Sequence, residues 1–307
     1  MLTRNSVIII LGPTCVGKTG ASILLAKELD TEIISADSMQ IYRHMDTGTA
    51  KPTPEQRAMV RHHMIDIAGP SETFSAGQYA EAVRPIIEGI LAKGRIPVVV
   101  GGTGLYIRAL TRGIFSSPSA DWALRDKLHA IEKQKSGSLY DLLLKLDHAA
   151  ASGIEPADTR RLIRALEVCL KTGKGISGLR AELTMPLPYN FIRVGLTRNR
   201  KELYRLIEDR VDRMFINGLT DEVRNLLRMN PGKTAEQAIG YKEVSSYLRG
   251  ELPLEDAVSL IKKRTRNYAK RQFTWFRKEP DIRWIDVSGI YSSQEIFTAI
   301  ALLLKIH

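Results

Sequence analysis

The sequence predicts an α/β fold in which a parallel sheet is flanked by helices and a smaller all-helical domain is inserted. Three observations predict it: a glycine-rich loop between a strand pattern and a helix pattern, further apolar strand runs, and a long segment of helical patterns without strand signals. The expected core domain combines residues 1–114 and 188–307, and the expected insertion covers residues 115–187.

The glycine-rich loop, residues 12–19, follows an apolar strand run at 7–11 and opens a helix predicted over 18–29. It matches the P-loop pattern G-x-x-x-x-G-K-T, in which backbone N–H groups and the helix N-terminus bind phosphate oxygens. Lys18 adds a positive charge, and Thr19 would ligate Mg²⁺. A chance match is the alternative. The motif makes the predicted sheet P-loop NTPase-like and indicates a phosphate or diphosphate, without specifying ATP.

The other predicted elements of the core alternate between strands and helices, as a parallel sheet requires. The strands cover residues 31–35, 96–100, 191–194 and 283–287, and the helices cover residues 75–93 and 201–217.

Composition restricts the class of protein. A chain of 307 residues with 44% hydrophobic residues is globular, and no stretch approaches the roughly 20 apolar residues of a membrane span. The N-terminus runs directly into a strand without a signal-peptide pattern, so we expect a cytoplasmic protein. Cys15 and Cys169 form neither a disulfide framework nor a zinc spacing. The net charge of +11 suits a polyanionic partner, although solubility could account for part of it.

Two polar residues at strand ends are candidates for the chemistry. The apolar strand at 96–100 ends in glycines and Thr103, without the Mg²⁺-binding acid that nucleotide hydrolases place there. Asp37 follows the second strand and could act as a general base or hold a group that itself binds the metal, but a strand-end aspartate can also simply cap the next turn. Thr103 could donate to a diphosphate, or it could belong to an ordinary tight turn.

A basic segment at 262–278 is predicted to be helical and to bind RNA. Lys263, Arg266 and Lys270 fall on one face of that helix, where they could follow a phosphate backbone. Its aromatic residues, Phe273, Trp275 and Phe276, could stack on bases or belong to the core.

Other charged residues have less specific patterns. In the insertion, Asp158 can cap a helix that presents Arg160, Arg161 and Arg164 as a second basic face. Arg210 lies on the helix at 201–217, where most arginines are solvated or pair with nearby acids. The adjacent His62 and His63 cannot share a metal from one helical face, and we interpret both as structural.

Taken together, the motifs closely resemble those of the tRNA dimethylallyltransferases. The resemblance spans nearly the whole chain in the right order, and several of its blocks are specific to that family, unlike the P-loop. Besides the P-loop, it rests on residues 37–43, 46–52, 62–66, 101–106, 158–168, 239–243 and 265–277.

The resemblance implies transfer of a dimethylallyl group from dimethylallyl diphosphate to N6 of the adenosine 3′-adjacent to the tRNA anticodon, position 37. The base would be flipped out of the anticodon loop to reach a channel. Asp37 matches the family's base, while Thr103 and Arg210 match positions that contact the diphosphate. Mg²⁺ on Thr19 would neutralise charge as the C–O bond breaks. The implied diphosphate-binding residues are Gly12, Thr14, Cys15, Val16, Gly17, Lys18 and Thr19.

The resemblance also implies residues that bind the tRNA, in the channel and on the anticodon stem-loop. Together with the basic helix, the expected set is Asp37, Ser38, Met39, Gln40, Arg125, Arg160, Arg161, Leu162, Ile163, Arg164, Lys263, Arg266 and Lys270. We expect the protein to act as a monomer.

Two other functions remain open from the sequence. One is a P-loop kinase for a small metabolite, which should show an arginine-rich lid without extended basic-aromatic helices. The other is a noncatalytic RNA-binding NTPase module, which should show the strand-end Mg²⁺ aspartate that this chain lacks. ATP consumption coupled to product formation would separate both from prenyl transfer.

Overall fold

The structure is a computed structural model that describes residues 3–115, 118 and 120–306. The chain divides into two compact units. The first, the core unit, comprises Met1–Ile107 and Pro188–His307, and the second, the helical unit, comprises Arg108–Leu187.

The core unit is built on a six-stranded sheet in which every pair of neighbouring strands is parallel. The order across the sheet is β3-β2-β4-β1-β5-β6. All residues of the strand Ser6–Leu11, which lies in the interior of the sheet, are buried, as expected for a strand covered on both faces. The strands are β1 (Ser6–Leu11), β2 (Ile33–Ala36), β3 (His62–His63), β4 (Val98–Gly101), β5 (Asn190–Thr197) and β6 (Ile282–Asp286).

The parallel α/β core with helices around it confirms the predicted fold class. Every strand predicted from the sequence is present, with its ends shifted by a few residues. Strand β3 was not predicted, because two consecutive histidines carry no strand pattern. His63 lies against Glu32, with 2.6 Å between Nε2 and a carboxylate oxygen, which supports the structural interpretation of this histidine.

Helices cover the sheet and extend the core unit beyond it. On one side, α1 and α15 pack together over β1, β4 and β5 around residues such as Ile8, Leu25 and Ile300. The helices that lie wholly in the core unit are α1 (Lys18–Glu28), α2 (Pro54–Met59), α3 (Ala76–Ala92), α10 (Arg200–Ile216), α11 (Leu219–Arg228), α12 (Lys233–Glu236), α13 (Tyr241–Leu248), α14 (Leu254–Phe276) and α15 (Ser293–Leu304).

A second apolar cluster of the core unit holds the segment that follows β2 against α11 and α13. Glu222 on α11 accepts hydrogen bonds from the N–H groups of Asp46, Thr47 and Gly48 and from the hydroxyl of Tyr241. These bonds satisfy donors of a loop that has no strand partner of its own. The loop after β2 is therefore fixed by tertiary contacts.

The helical unit contains short helices around its own apolar core. Leu139, Leu143, Leu162 and Leu166 are fully buried in that core. Its helices are α5 (Trp122–Gln134), α6 (Ser138–Leu146), α7 (His148–Ser152), α8 (Thr159–Thr172) and α9 (Ile176–Leu183), and α4 (Gly104–Arg112) crosses the unit boundary. Among the described residues of both units, no helix is long and apolar enough to cross a membrane.

The helical unit begins at Arg108, earlier than the predicted boundary at 115. The reason is that α4 continues past the boundary and its last turn packs within the helical unit. The N–H of Leu187 donates to the carbonyl of Leu110, and a Cβ on Gly113 would overlap the backbone of Met185.

A buried carboxylate ties the helical unit together. Glu167 on α8 accepts from Nε and Nη2 of Arg125, from the N–H of Asp121 and from the Arg164 guanidinium. Burial opposes ionisation of Glu167, but these hydrogen bonds outweigh it and hold its pKa at about 2. The stabilisation is therefore present at neutral pH and is lost only as the pH falls from about 4.5 towards 2.

Replacing Glu167 with glutamine is expected to destabilise the helical unit by about 1–3 kcal/mol, because two arginines lose their counter-charge and one acceptor becomes a donor. Urea unfolding and hydrogen exchange of the α8 amides measure this loss. Glu182→Gln, which removes the same charge from an exposed position on α9, is the control. Equal stabilities for the two variants would contradict a structural role for the Glu167 cluster.

Candidate active site

The P-loop leaves β1 at the edge of the sheet where the strands end. Gly12 has φ 146°, and a Cβ at this position would overlap the carbonyl oxygen of Leu196 on β5. Only glycine fits this close approach of two backbones. The loop is thus seated on the neighbouring strand before it turns into α1.

Within the P-loop, Lys18 folds back on its own loop. Its Nζ donates to the carbonyl oxygens of Gly12 at 2.9 Å and Pro13 at 2.7 Å. The side chain of Val16 is fully buried in the core of the unit, so Val16 can offer a ligand only its backbone. Cys15 has a left-handed backbone with φ 64° and packs towards α10 and α14.

Arg210 on α10 reaches the P-loop from the side. Its Nη1 donates to Oγ1 of Thr14 at 3.0 Å. The sequence left open that Arg210 pairs with acids of its own helix. Among the described residues, its side chain instead contacts the P-loop. Two of the residues expected to bind a diphosphate, Arg210 and Thr14, are in direct contact.

Asp37 directly follows β2 and is half-buried. Its Oδ1 accepts from the N–H groups of Met39 at 2.9 Å and Gln40 at 3.3 Å. The carboxylate thus caps the turn after the strand, as one reading of the sequence anticipated. These bonds use one oxygen and fix the orientation of the group, so capping and a chemical role for the other oxygen are compatible.

Thr103 lies at the end of β4, beside the end of β2. Its N–H donates to the carbonyl of Ala36 at 3.1 Å, and its Oγ1 accepts from the N–H of Ser38 at 3.0 Å. The threonine therefore links the two strand ends, and its turn is more than an isolated tight turn. Thr103 and Asp37 belong to one connected set of loops.

The segment after Asp37 is fixed in the same way. The Gln40 amide donates to the carbonyls of Thr49 and Ala50 and accepts from the Ser35 hydroxyl. Ser38, Met39 and Gln40, the expected channel residues, are all half-buried.

Charge distinguishes the site from an ordinary loop cluster. Burial, followed by the nearby positive charge of Arg210, lowers the pKa of Lys18 to about 8, while Asp37 and Cys15 act in the opposite direction. The Asp37 carboxylate also acts on Tyr79, Tyr106 and Tyr268, whose pKa values are raised first by desolvation. Two cations and one carboxylate therefore lie close enough to influence each other, beside buried aromatic rings.

A cavity of about 770 Å³ opens beside Arg210 in the core unit. Most of the charged side chains that line it are cationic. The cations are Arg43, Lys51, Arg57, Arg210 and Arg213, and the acids are Asp46 and Asp66.

The basic helix predicted at 262–278 is the C-terminal part of α14. Lys263 and Lys270 are exposed, as the expected RNA contact requires. The guanidinium of Arg266 pairs with Glu208 on α10, and its contact with RNA stays a prediction. The stripe of free positive charge on this helix is therefore narrower than the sequence indicated.

The aromatic residues of α14 pack within the protein. Phe276 is fully buried, Trp275 lies against Gly104, and Phe273 contacts Trp284 edge to face with ring centroids 5.8 Å apart. The core alternative is therefore correct for Phe276, whereas Phe273 and Trp275 are half-buried and pack against other residues of the protein.

In the helical unit, the expected tRNA contacts divide into exposed and internal residues. Arg160 and Arg161 are exposed, and Asp158 caps α8 as predicted. The side chains of Leu162 and Ile163 are buried. A tRNA contact at these two positions stays a prediction, and it would have to involve the backbone.

Arg125 and Arg164 both pair with Glu167. Their contact with tRNA stays a prediction. The spacing of apolar residues along α8 indicates that the side chains of Leu162 and Ile163 face the core of the helical unit. No pattern in the sequence pointed to Glu167.

Sequence reasoning missed Gln272 on α14. This residue is 6% exposed and contacts both the P-loop and the glycine turn before Thr103. The only available signal was its position inside the basic-aromatic segment.

The lowered pKa of Lys18 predicts a pH dependence for anion binding. We expect the affinity for an alkyl diphosphate to fall as the pH rises above about 8, because Lys18 then loses its proton. The bound anion raises the lysine pKa, so binding in this range takes up protons. Calorimetry above pH 8 in two buffers of different ionisation enthalpy measures this uptake.

Lys18→Gln should abolish that proton uptake. Lys27→Gln, an exposed lysine of the same helix, should leave it unchanged. Uptake that persists in Lys18→Gln would show that another group titrates.

The comparisons with known proteins agree with one another. The family model for the IPP transferases matches residues 40–279. A tRNA dimethylallyltransferase of Thermodesulfovibrio yellowstonii is 53% identical, over 98% of this chain and 99% of the relative. A relative of the same name from Pelotomaculum thermopropionicum is 45% identical, over 97% and 96% of the two chains.

Solved structures give the same result. The tRNA isopentenylpyrophosphate transferase of Bacillus halodurans is 42% identical with a TM-score of 0.71, covering 98% of this chain and 97% of that chain. A eukaryotic dimethylallyltransferase acting on tRNA has a TM-score of 0.80 at 30% identity, covering 99% and 80%. The strand ends, the P-loop and near full-length similarity lead to one conclusion: the chain belongs to the tRNA dimethylallyltransferase family.

Proposed function

We propose that this chain transfers a dimethylallyl group from dimethylallyl diphosphate to N6 of the adenosine 3′-adjacent to the anticodon of tRNA. The observation that carries the proposal is the contact of Arg210 with Thr14 of the P-loop, beside Lys18 and Asp37. This arrangement places two cations where a P-loop binds phosphate and one carboxylate close by. The two cations can stabilise a departing diphosphate, and the carboxylate can accept one proton.

The diphosphate is held from three directions in this proposal. The N–H groups of the P-loop and Lys18 contact it from β1, Thr103 donates its hydroxyl from β4, and Arg210 reaches it from α10. Each of these side chains now donates to a group of the protein: Lys18 to its own loop, Arg210 to Thr14 and Thr103 to Ser38. The diphosphate would take over these donors, so binding includes a local rearrangement of the three side chains.

The residues present fit Mg²⁺. The Thr19 hydroxyl at the start of α1 is a hard oxygen donor, and Mg²⁺ in proteins commonly uses one or two such donors together with substrate phosphates. Among the described residues, no cluster of three His, Cys, Asp or Glu side chains could hold a metal alone. The bound ion would neutralise negative charge on the diphosphate. We therefore propose Thr19 as its protein ligand.

Asp37 acts as the base. The lone pair of N6 forms the new bond to C1 of the dimethylallyl group while the C1–O bond breaks and diphosphate leaves. The positive charge that N6 acquires is removed when one of its protons passes to the free oxygen of Asp37. The turn hydrogen bonds to Oδ1 keep that oxygen in place during transfer.

The kinase alternative is less well supported. The relatives that match nearly the whole chain at 45–53% identity are named tRNA dimethylallyltransferases, and α14 is an extended basic helix that a small-metabolite kinase is not expected to have. Strand β4 ends in Gly101 and leads to Thr103, without the Mg²⁺-binding acid expected of a switch module that hydrolyses a nucleotide.

The tRNA is expected to contact exposed cations. We propose Lys263 and Lys270 on α14 and Arg160 and Arg161 on α8 as phosphate contacts. Ser38, Met39 and Gln40 would line the path of the flipped adenine.

Label transfer tests the function. Dimethylallyl diphosphate labelled in its carbon chain should label an anticodon stem-loop that carries adenosine next to the anticodon, only with Mg²⁺ present. A matched loop with guanosine should stay unlabelled. Asp37→Asn keeps the capping oxygen but not the basicity, so it should lower the transfer rate by about 100-fold or more and leave stem-loop affinity nearly unchanged.

Asp30→Asn makes the same change at an exposed position and should transfer at the normal rate. Two results would refute the assignment of Asp37: unimpaired transfer by Asp37→Asn, or loss of RNA binding in that variant. ATP turnover coupled to product formation would refute the proposed reaction.

Salt dependence tests the RNA contacts of α14. Changing Lys263 and Lys270 together to glutamine should weaken stem-loop binding and reduce the slope of log Kd against log salt by roughly 1–2, because two phosphate contacts are lost. Lys27→Gln combined with Lys305→Gln removes the same charge elsewhere on the core unit and should keep the slope. Identical slopes for both double variants would show that α14 does not face the RNA.

A further inference from the structure

The side chain of Gln272 joins two loops of the active site. Its Oε1 accepts from the N–H of Thr14 in the P-loop, and its Nε2 donates to the carbonyl of Gly102 before Thr103; both distances are 2.9 Å. The residue is 6% exposed. It lies 258 and 170 residues from its two partners in the sequence, so the bridge is entirely tertiary.

The bridge requires an amide. A glutamine offers one acceptor and two donors on the same planar group, so it can accept from one loop and donate to the other. A glutamate of the same size would direct an acceptor at the Gly102 carbonyl, and a methionine would leave both loop groups without a partner. Each buried backbone group left unpaired costs about 1–3 kcal/mol.

The surroundings of Gln272 hold it in place. A Cβ on Gly102 would overlap its Nε2, and a Cβ on Gly104 would overlap the ring of Trp275. The side chains of Thr103 and Gln272 both act on the pKa of Tyr268. Tyr268, Gln272 and Trp275 are spaced by four and three residues, so one face of α14 lies directly on the glycine turn.

We infer that Gln272 is a positioning residue, which fixes the distance between the P-loop and the turn that carries Thr103. It thereby holds the hydroxyls of Thr14 and Thr103 so that both reach one diphosphate. The inference rests on the proposed function only in identifying that ligand. Because the N–H of Thr14 already donates to Gln272, the P-loop N–H groups available to the diphosphate belong to residues 15–19.

Binding of inorganic diphosphate with Mg²⁺, measured by calorimetry, tests the inference independently of transfer. We expect Gln272→Met to weaken this binding by about tenfold, since two hydrogen bonds that hold the loops are lost. Gln272→Glu should bind more weakly still, because its charge faces a carbonyl and the ligand anion. Diphosphate affinity in Gln272→Glu equal to that of the unmodified protein would overturn the bridge.

Phe276→Leu controls for damage to α14. Phe276 is fully buried one turn further along the same helix, and its truncation lowers stability without removing a hydrogen bond to either loop. Gln272→Met should raise the KM for dimethylallyl diphosphate and lower kcat while stem-loop affinity is kept. Equal kinetic losses in the two variants at matched stability would show that Gln272 only supports the fold.

A second substitution disturbs the same bridge without changing Gln272. Gly102→Ala places a Cβ where Nε2 now lies, so it should also weaken diphosphate binding. Gly89→Ala on α3, where a Cβ meets nothing within 4 Å, should bind normally. Unchanged affinity in Gly102→Ala would overturn the inference. If the unmodified protein binds diphosphate but transfers nothing, the proposed function fails while the role of Gln272 is still decided by these affinities.

Discussion

All six strands of the sheet run in the same direction, and this constraint brings three unrelated loops to one edge. Leu11 of β1 pairs with Gly101 of β4, which pairs in turn with Ala36 of β2, so the three strands end in one row. The P-loop, Thr103 and Asp37 each follow one of these ends. Parallel pairing therefore brings the P-loop, Thr103 and Asp37 to the same edge of the sheet.

Two helices add side chains to the loops at these strand ends. Arg210 from α10 and Gln272 from α14 both contact Thr14, one through its hydroxyl and one through its N–H. Lys18 is half-buried and donates to carbonyls of its own loop, which gives its charge hydrogen-bond partners within the fold. In the proposed function a diphosphate would replace these carbonyls with full negative charges.

The sequence predicted those features that depend on local pattern. The strand-loop-helix order located the P-loop, and the position of Asp37 and Thr103 after apolar strands located the two polar strand ends. The contact of Arg210 could not be predicted from pattern, because its partner is 196 residues away. The bridge of Gln272 was missed for the same reason. The pairing of Arg125 with Glu167 could not be predicted either, because the two residues are 42 positions apart and no local pattern joins them.

The structure of the protein with Mg²⁺ and an unreactive thiodiphosphate analogue of the donor is the most direct test of the proposed site. We expect one diphosphate in contact with Lys18, Arg210 and Thr103, with the metal at Thr19 and with Gln272 still joining Thr14 to Gly102. The alkyl carbon that reacts should lie on the side of the free oxygen of Asp37. A diphosphate bound away from the P-loop, or one that leaves Arg210 on Thr14 without touching it, would refute the proposed site.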